Sequence, residues 1–245
     1  MTALLELSEI RVGYPGGPDI LKDLSLEVTQ GRSYCVIGPN GAGKSTMLKA
    51  IAGLLPTRSG SILFEGRDIA RLRTDQRLAA GVCFVPQDPS VFPEMTVHDN
   101  LIMGAFLVED RSLVRERLER VYELFPILTE RAKQAAGTMS GGEQQQLLLG
   151  RALMIDPKIL MIDEPSLGLA PMIADQIFAV IRGLGDLGVT VLMVEQSVVR
   201  GLDATDWAFV LDLGSKRFEG PSEHLFEDKR IRDLYLGKMA SGDRE

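Results

Sequence analysis

Eight consecutive residues, Gly38-Pro39-Asn40-Gly41-Ala42-Gly43-Lys44-Ser45, fit the pattern G-x-x-x-x-G-K-[ST]. Glycines at those places let backbone N–H groups turn inward around a polyphosphate, and a helix N-terminus behind them adds partial positive charge. Lys44 then bridges the outer phosphates, and the Ser45 hydroxyl is a ligand for Mg²⁺. Further along, Ile159-Leu160-Met161-Ile162 runs into Asp163-Glu164. A carboxylate at the end of an apolar strand holds Mg²⁺ mostly through its water shell, and the next one polarises a water for attack on a γ-phosphate. Asp163 is thus the expected metal residue and Glu164 the expected base. A third segment, Thr138-Met139-Ser140-Gly141-Gly142-Glu143-Gln144-Gln145, opens a helical run. Its serine and glycine amides read either as a second anion cradle or as an ordinary helix start capped by Ser140. One bound nucleotide gives a single chain no use for two cradles, whereas a head-to-tail dimer closes each over the partner's nucleotide.

Holding these groups in place requires strands that stop where the loops begin. Tyr34-Cys35-Val36-Ile37 is a short apolar run between Gly31 and Gly38, the pattern of a buried strand, and the spacing predicts a helix over Thr46 to Leu55. Val82 to Val85, Ile159 to Ile162 and Val189 to Val194 are further buried-strand candidates interleaved with helices, which points to a largely parallel α/β sheet. Leu5, Leu7, Ile10, Val12 and Tyr14 alternate with polar residues except for a slip at Ser8-Glu9, so a bulged strand is expected, stopped by Pro15-Gly16-Gly17-Pro18. With Leu24, Leu26 and Val28 it places the antiparallel pieces before residue 70. From Pro93 to Arg151 the spacing turns helical, with Leu113, Leu118, Val121, Tyr122 and Phe125 on one face and four-apart pairs Arg115/Glu119 and Glu116/Arg120 on the other. In the charged tail from Pro221, Leu225, Phe226, Ile231, Leu234 and Leu236 are expected to dock short helices, with Ser241 to Glu245 frayed.

Composition bounds the rest. The 245 residues are 45% hydrophobic and 25% charged, an ordinary globular balance that excludes a disordered or collagen-like chain. With 27 basic against 34 acidic residues the formal charge is -7, which speaks against a broad phosphate-backbone contact and hence against nucleic acid as a partner. Cys35 and Cys83 lie in apolar runs and read as reduced core residues of a cytosolic protein. No signal-peptide pattern opens the sequence, and no apolar run is long enough to cross a bilayer, so membrane association is expected only through a partner.

The three motifs, in this order, resemble the ATP-binding subunit of an ABC transporter over nearly the whole chain. The resemblance implies an α/β fold: a P-loop NTPase (RecA-like) core with an N-terminal antiparallel β portion and an inserted α-helical lobe. Residues 1–92 and 151–220 would form the core, 93–150 the lobe ending in the signature segment, and 221–245 a helical tail. It implies ATP and Mg²⁺ as ligands, and it gives several residues a role. Tyr14 would stack on adenine, where the residue alone reads as a strand edge. Gln87, otherwise a polar loop residue, would contact Mg²⁺ and the attacking water and link core to lobe. Ser140, Gly141 and Gly142 would face the ATP of the opposing subunit. The nucleotide-binding set is then Tyr14, Gly38, Pro39, Asn40, Gly41, Ala42, Gly43, Lys44, Ser45, Thr46, Ser140, Gly141 and Gly142. The catalytic set is Glu164, Lys44, Gln87 and Gln196, and the metal set is Ser45, Gln87 and Asp163.

Closer still, Val91-Phe92-Pro93-Glu94-Met95-Thr96-Val97, Leu124-Phe125-Pro126, Ser140-Gly141-Gly142-Glu143-Gln144-Gln145, Glu164-Pro165-Ser166-Leu167-Gly168-Leu169-Ala170-Pro171, Val194-Glu195-Gln196 and Tyr235-Leu236-Gly237 resemble the second ATP-binding subunit of branched-chain amino-acid importers. Such a subunit works at the cytoplasmic face of the cell membrane beside a sister ATPase or a second copy of itself, two transmembrane permease subunits and a soluble substrate-binding protein. Importers of urea or short amides use similar ATPases. Two other classes fit less well: a soluble clamp or scaffold lacks the expected insertions or basic patches, and a small-molecule kinase leaves Ser140-Gly141-Gly142 without a use.

The sequence departs from the family at three places. Gln196 stands where most members have a γ-phosphate-contacting histidine, and His98 and His224 lie elsewhere in the chain. Ala170 replaces a usual aspartate, and Glu143 replaces the commoner glutamine of the signature.

Overall fold

The computed structural model describes residues 3–88 and 90–227, which form two sheets with helices around them. β1 (Ala3–Val12) and β2 (Leu21–Thr29) are followed by β3 (Ser33–Ile37), α1 (Lys44–Ala52), β4 (Thr57–Phe64) and β5 (Arg67–Asp68). Next come α2 (Thr74–Ala79), β6 (Val82–Val85), and a run of helices: α3 (Val97–Gly104), α4 (Arg111–Leu124), α5 (Pro126–Glu130) and α6 (Gly141–Leu153). The chain returns to the core with β7 (Ile159–Asp163), α7 (Pro171–Gly183), β8 (Thr190–Val194), α8 (Val198–Asp203), β9 (Trp207–Asp212), β10 (Ser215–Pro221) and α9 (Ser222–Glu227).

The smaller sheet is antiparallel in the order β2-β1-β4-β5. Its expected bulge is present: pairing slips between Leu7 and Ile10, and Glu9 takes φ 49°. The slip keeps Leu5, Leu7, Ile10 and Val12 on the buried side despite the break in alternation.

The larger sheet has the order β10-β9-β3-β8-β7-β6, parallel from β9 through β6. Strand alternation divides its side chains between two cores. Cys35, Ile37, Leu160, Ile162, Val191 and Met193 face the layer of α6 and α7, while Tyr34, Val36, Met161, Leu192 and Val194 face α1 and the smaller sheet. Both faces of β7 and β8 are therefore buried, which is why these strands are continuous apolar runs. Both cysteines are free and buried, and burial pushes their thiol pKa values up, that of Cys83 to about 12.

Antiparallel pairing is not confined to the chain before residue 70, because β9 and β10 form a hairpin on the edge of the larger sheet. Its two-residue turn, Leu213-Gly214, has φ 48° and 86°, the geometry of a type I′ turn, but leucine in place of Asn or Asp hides the signal.

The inserted helices form the expected lobe. Side chains of Thr96, Asp110 and Ser140 cap α3, α4 and α6. Val121, Phe125 and Leu128 are buried against α6. Of the four-apart pairs, Glu116 and Arg120 meet at 3.7 Å, and Arg120 also reaches Asp156 at 3.5 Å. Leu225 is buried in the tail and Phe226 follows it on α9, whereas Ile231, Leu234, Leu236 and the segment Ser241 to Glu245, with Tyr235-Leu236-Gly237, lie outside the described residues. Among the described residues no helix is long and apolar enough to cross a membrane.

Candidate functional site

The glycine-rich run leaves the end of β3 and enters α1 through Gly43, whose φ of 98° belongs to glycine. A Cβ there would stand 2.6 Å from Leu21 Cδ2. The helix begins at Lys44, two residues earlier than expected, with no side-chain cap and no acidic residue in its first turn. Its leading N–H groups are consequently left to an anion. The Ala42 N–H donates to Pro39 O at 3.1 Å, and the Gly214 N–H donates to Ala42 O at 3.1 Å, so the β9–β10 hairpin braces the loop.

Lys44 is 5% exposed and its Nζ donates to Gly38 O at 2.8 Å and Pro39 O at 3.2 Å. Two of its three protons hold the loop in shape, leaving one for a ligand. Burial pulls its pKa below the usual lysine value, opposed by the charges of Glu164 and Asp163.

β7 delivers Asp163 beneath the loop, where Ser45 Oγ donates to Asp163 Oδ1 at 2.9 Å. Glu164 then adopts φ 48°, a left-handed conformation that costs a non-glycine residue about 1 kcal/mol. Its N–H is held by Val194 O at 2.9 Å. That turn carries the carboxylate into the cleft, where Gln87 Nε2 donates to Glu164 Oε2 at 3.1 Å. Burial raises the pKa of both carboxyls; Ser45 counteracts this most at Asp163, and Lys44 does so at Glu164.

A cleft of about 480 Å³ is lined by Asn40, Gly41, Gly43, Lys44, Ser45, Thr46, Gln87, Glu164 and Gln196, together with Ile20 and Leu167, which the sequence did not single out. The motifs from four separate stretches thus converge. Tyr14 does not line this cleft: it is 43% exposed at the turn after β1, where its carbonyl accepts from Arg58 Nη2 at 2.9 Å. Ser140, Gly141 and Gly142 are also elsewhere, at the start of α6 on the lobe. Ser140 forms a capping box there: its N–H and Oγ donate to Glu143 Oε2 at 2.8 and 2.9 Å, while the Glu143 N–H reaches Ser140 Oγ at 3.4 Å. Glu143 therefore folds back onto the start of its own helix, its pKa held below the usual glutamate value chiefly by the Ser140 N–H, with Arg131 at 3.7 Å. His98 contacts Tyr122 Oη at 3.1 Å within the lobe, and His224 is exposed on α9, so neither substitutes for Gln196.

A buried lysine in a glycine-rich loop, facing paired carboxylates at the end of a parallel strand, defines a P-loop nucleoside triphosphatase. Within that class the family model described as "ABC transporter" matches residues 21–167, well over half of the chain. The chain belongs to the family of ABC transporter ATP-binding subunits, and it is an ATPase of that family. It is 45% identical over 224 residues to a protein of Pseudomonas aeruginosa named high-affinity branched-chain amino acid transport ATP-binding protein BraG, covering 91% of this chain and 96% of that one. It is 37% identical to the probable branched-chain amino acid transport ATP-binding protein LivF of Archaeoglobus fulgidus, over 89% of this chain and 92% of that one. A crystal structure of an ATP-binding cassette of an ABC transporter in its ADP conformation superposes with a TM-score of 0.84 at 29% identity, covering 97% of this chain and all of the other.

Proposed function

We propose that this ATPase drives an importer of branched-chain or other hydrophobic amino acids from the cytoplasmic face of the cell membrane. The observation that carries the mechanism is the Gln87–Glu164 hydrogen bond, which joins the segment leading into the helical lobe to the base of the cleft. The names of the Pseudomonas and Archaeoglobus relatives support the class of cargo.

In the hydrolytic step Lys44 and the first-turn N–H groups bind and orient the phosphates of ATP, and Glu164 holds the attacking water for in-line displacement. The left-handed turn at Glu164 aims its carboxylate, and Gln87 fixes the carboxylate's rotamer. Gln196 donates an amide N–H to the γ-phosphate. Ser45 and Asp163 offer hard oxygen donors at the base of the cleft, a set suited to Mg²⁺, which when bound neutralises phosphate charge. Gln87 joins them in that role. Tyr14 stacks on adenine, and Ser140 to Gly142 close over the nucleotide of the opposing subunit, a sister ATPase or a second copy arranged head to tail.

An apolar groove between core and lobe supports docking of the permease subunits. Leu54, Met103 and Phe106 line it and are 52%, 42% and 63% exposed. Arg151 sits over the Phe92 ring at 5.1 Å, and its buried Nη1 has no partner among the described residues. An apolar helix carrying an acceptor for that nitrogen satisfies both features.

Tagging the chain in its own cell and purifying it from membranes in mild detergent tests this. Stoichiometric recovery of two polytopic proteins and a second ATPase-sized chain, or twice the amount of this one, is expected. Recovery from the soluble fraction alone, or with nucleic acid, would contradict the importer.

A further inference from the structure

Glu195 directly follows β8 and is 2% exposed. One of its oxygens, Oε1, accepts three hydrogen bonds: from Ser166 Oγ at 3.0 Å, from the Gln196 N–H at 3.1 Å and from the Ser197 N–H at 3.2 Å. These donors come from two different loops. Ser166 lies in the turn that leaves Glu164, a turn closed by the Leu167 N–H on Glu164 O at 3.2 Å. Gln196 and Ser197 lead from β8 into α8, which Ser197 caps through the Arg200 N–H at 3.5 Å. The second oxygen, Oε2, is buried without a hydrogen-bond partner among the described residues.

Burying a carboxylate with one oxygen unserved costs free energy that an apolar side chain of similar size would not. The backbone also makes room for it, since a Cβ on Gly201 would stand 2.7 Å from Cys35 Sγ and 3.3 Å from Glu195 Cβ. Three donors gathered from the two loops that leave the neighbouring strands β7 and β8 give this carboxylate a use that filling space does not.

We propose that Glu195 is a positioning residue for ATP hydrolysis: its carboxylate ties the loop carrying Gln196 to the loop leaving Glu164, so that the base and the γ-phosphate donor keep one mutual geometry. The tie rests on the roles assigned to Glu164 and Gln196 above. A shift of Ser166 is passed through Oε1 to the Gln196 backbone without any change at the phosphate-binding loop.

The test compares Glu195→Ala, Glu195→Gln, Ser166→Ala and Gln196→Ala in the full chain, within the complex that co-purifies with it. Steady-state hydrolysis is measured beside binding of a fluorescent ATP analogue. Glu195→Ala is expected to lower kcat about tenfold and Ser166→Ala about threefold, with KM and analogue affinity within about twofold of the parent. Glu195→Gln keeps an acceptor where Oε1 stands and should return kcat to within about threefold. The Glu195→Ala/Ser166→Ala double variant should be no slower than Glu195→Ala, because both remove one contact. Ser166→Ala removes a single half-buried hydroxyl, so it carries the test if Glu195→Ala does not accumulate. Parental kcat in Ser166→Ala and Glu195→Ala beside a slow Gln196→Ala overturns the proposal alone. A parental Gln196→Ala overturns the role of Gln196, and the tie to it as well. Parallel loss of analogue affinity and kcat in Glu195→Ala and Ser166→Ala also overturns the proposal, since it marks a general defect.

Discussion

At position 196 an amide can donate to a phosphate oxygen but cannot become cationic, so its contribution stays constant across neutral pH. An imidazole in its place would titrate near pH 6.5 and add a charge-assisted hydrogen bond on the acid side. Gln196→His should therefore gain rate relative to the parent as pH falls from about 7.5 to about 6, a dependence that position 196 does not contribute in the parent. A variant with the parent's rate and pH profile would remove Gln196 from the phosphate. Other residues differ in how plainly their neighbours announce them. Lys44, Ser45, Asp163 and Glu164 are legible from sequence because their spacing is fixed by one loop and one strand end. Glu195 is not, although an ionisable residue just past five buried ones was the signal, since its meaning lies in Ser166, 29 residues away. Glu143 shows the same limit: its place in the signature suggests added charge beside a phosphate, yet its carboxylate is spent on the Ser140 N–H and hydroxyl.

Among the elements, α1 matters most, because it presents the phosphate loop at one end and must be anchored at the other. Its last carbonyls are held by a buried cation: Arg77, 2% exposed, donates to Ala50 O at 2.7 Å, Ile51 O at 2.8 Å, Ala70 O at 2.8 Å and Leu72 O at 2.9 Å. Four carbonyls serve the guanidinium in place of a carboxylate, and burial lowers its pKa from the usual arginine value. Arg77→Met leaves those acceptors dry and should cost about 3 kcal/mol of unfolding free energy, measured by urea denaturation. An unchanged midpoint would show that water replaces the guanidinium without loss. Strands β3, β7 and β8 of the larger sheet were readable because each is buried on both faces, which leaves an unbroken apolar run. The β9–β10 hairpin was not, since Leu213 occupies a left-handed turn position that leucine seldom takes, and its register depends on pairing with β3 far away in sequence. Nor did periodicity place Tyr14 relative to the cleft, because the turn after β1 is set by Arg58, which reaches across from β4 to Tyr14 O and Gly17 O.

At the scale of the whole molecule, a single chain assembles the glycine-rich loop, Glu164, Gln87 and Gln196 in one cleft, with Asp163 bonded to Ser45 beneath the loop, but leaves Ser140 to Gly142 outside it. Leu167 in that cleft and Met172 in the first turn of α7 are 50% and 69% exposed, apolar surface that a second cassette would cover. On the proposed function, ATP binding would favour the closed pair, hydrolysis would release it, and the groove lined by Phe106 and Arg151 would pass the motion to the permease. In this cycle Glu164 acts on water and not on nucleotide affinity. The most direct test is Glu164→Gln, assayed for single-turnover ATP hydrolysis and, by gel filtration with ATP, for its oligomeric state. The account predicts ATP binding like the parent's, hydrolysis slowed about a hundredfold or more, and accumulation of an ATP-bound dimer. Turnover at the parent's rate, or a variant that stays monomeric with ATP bound, would contradict it.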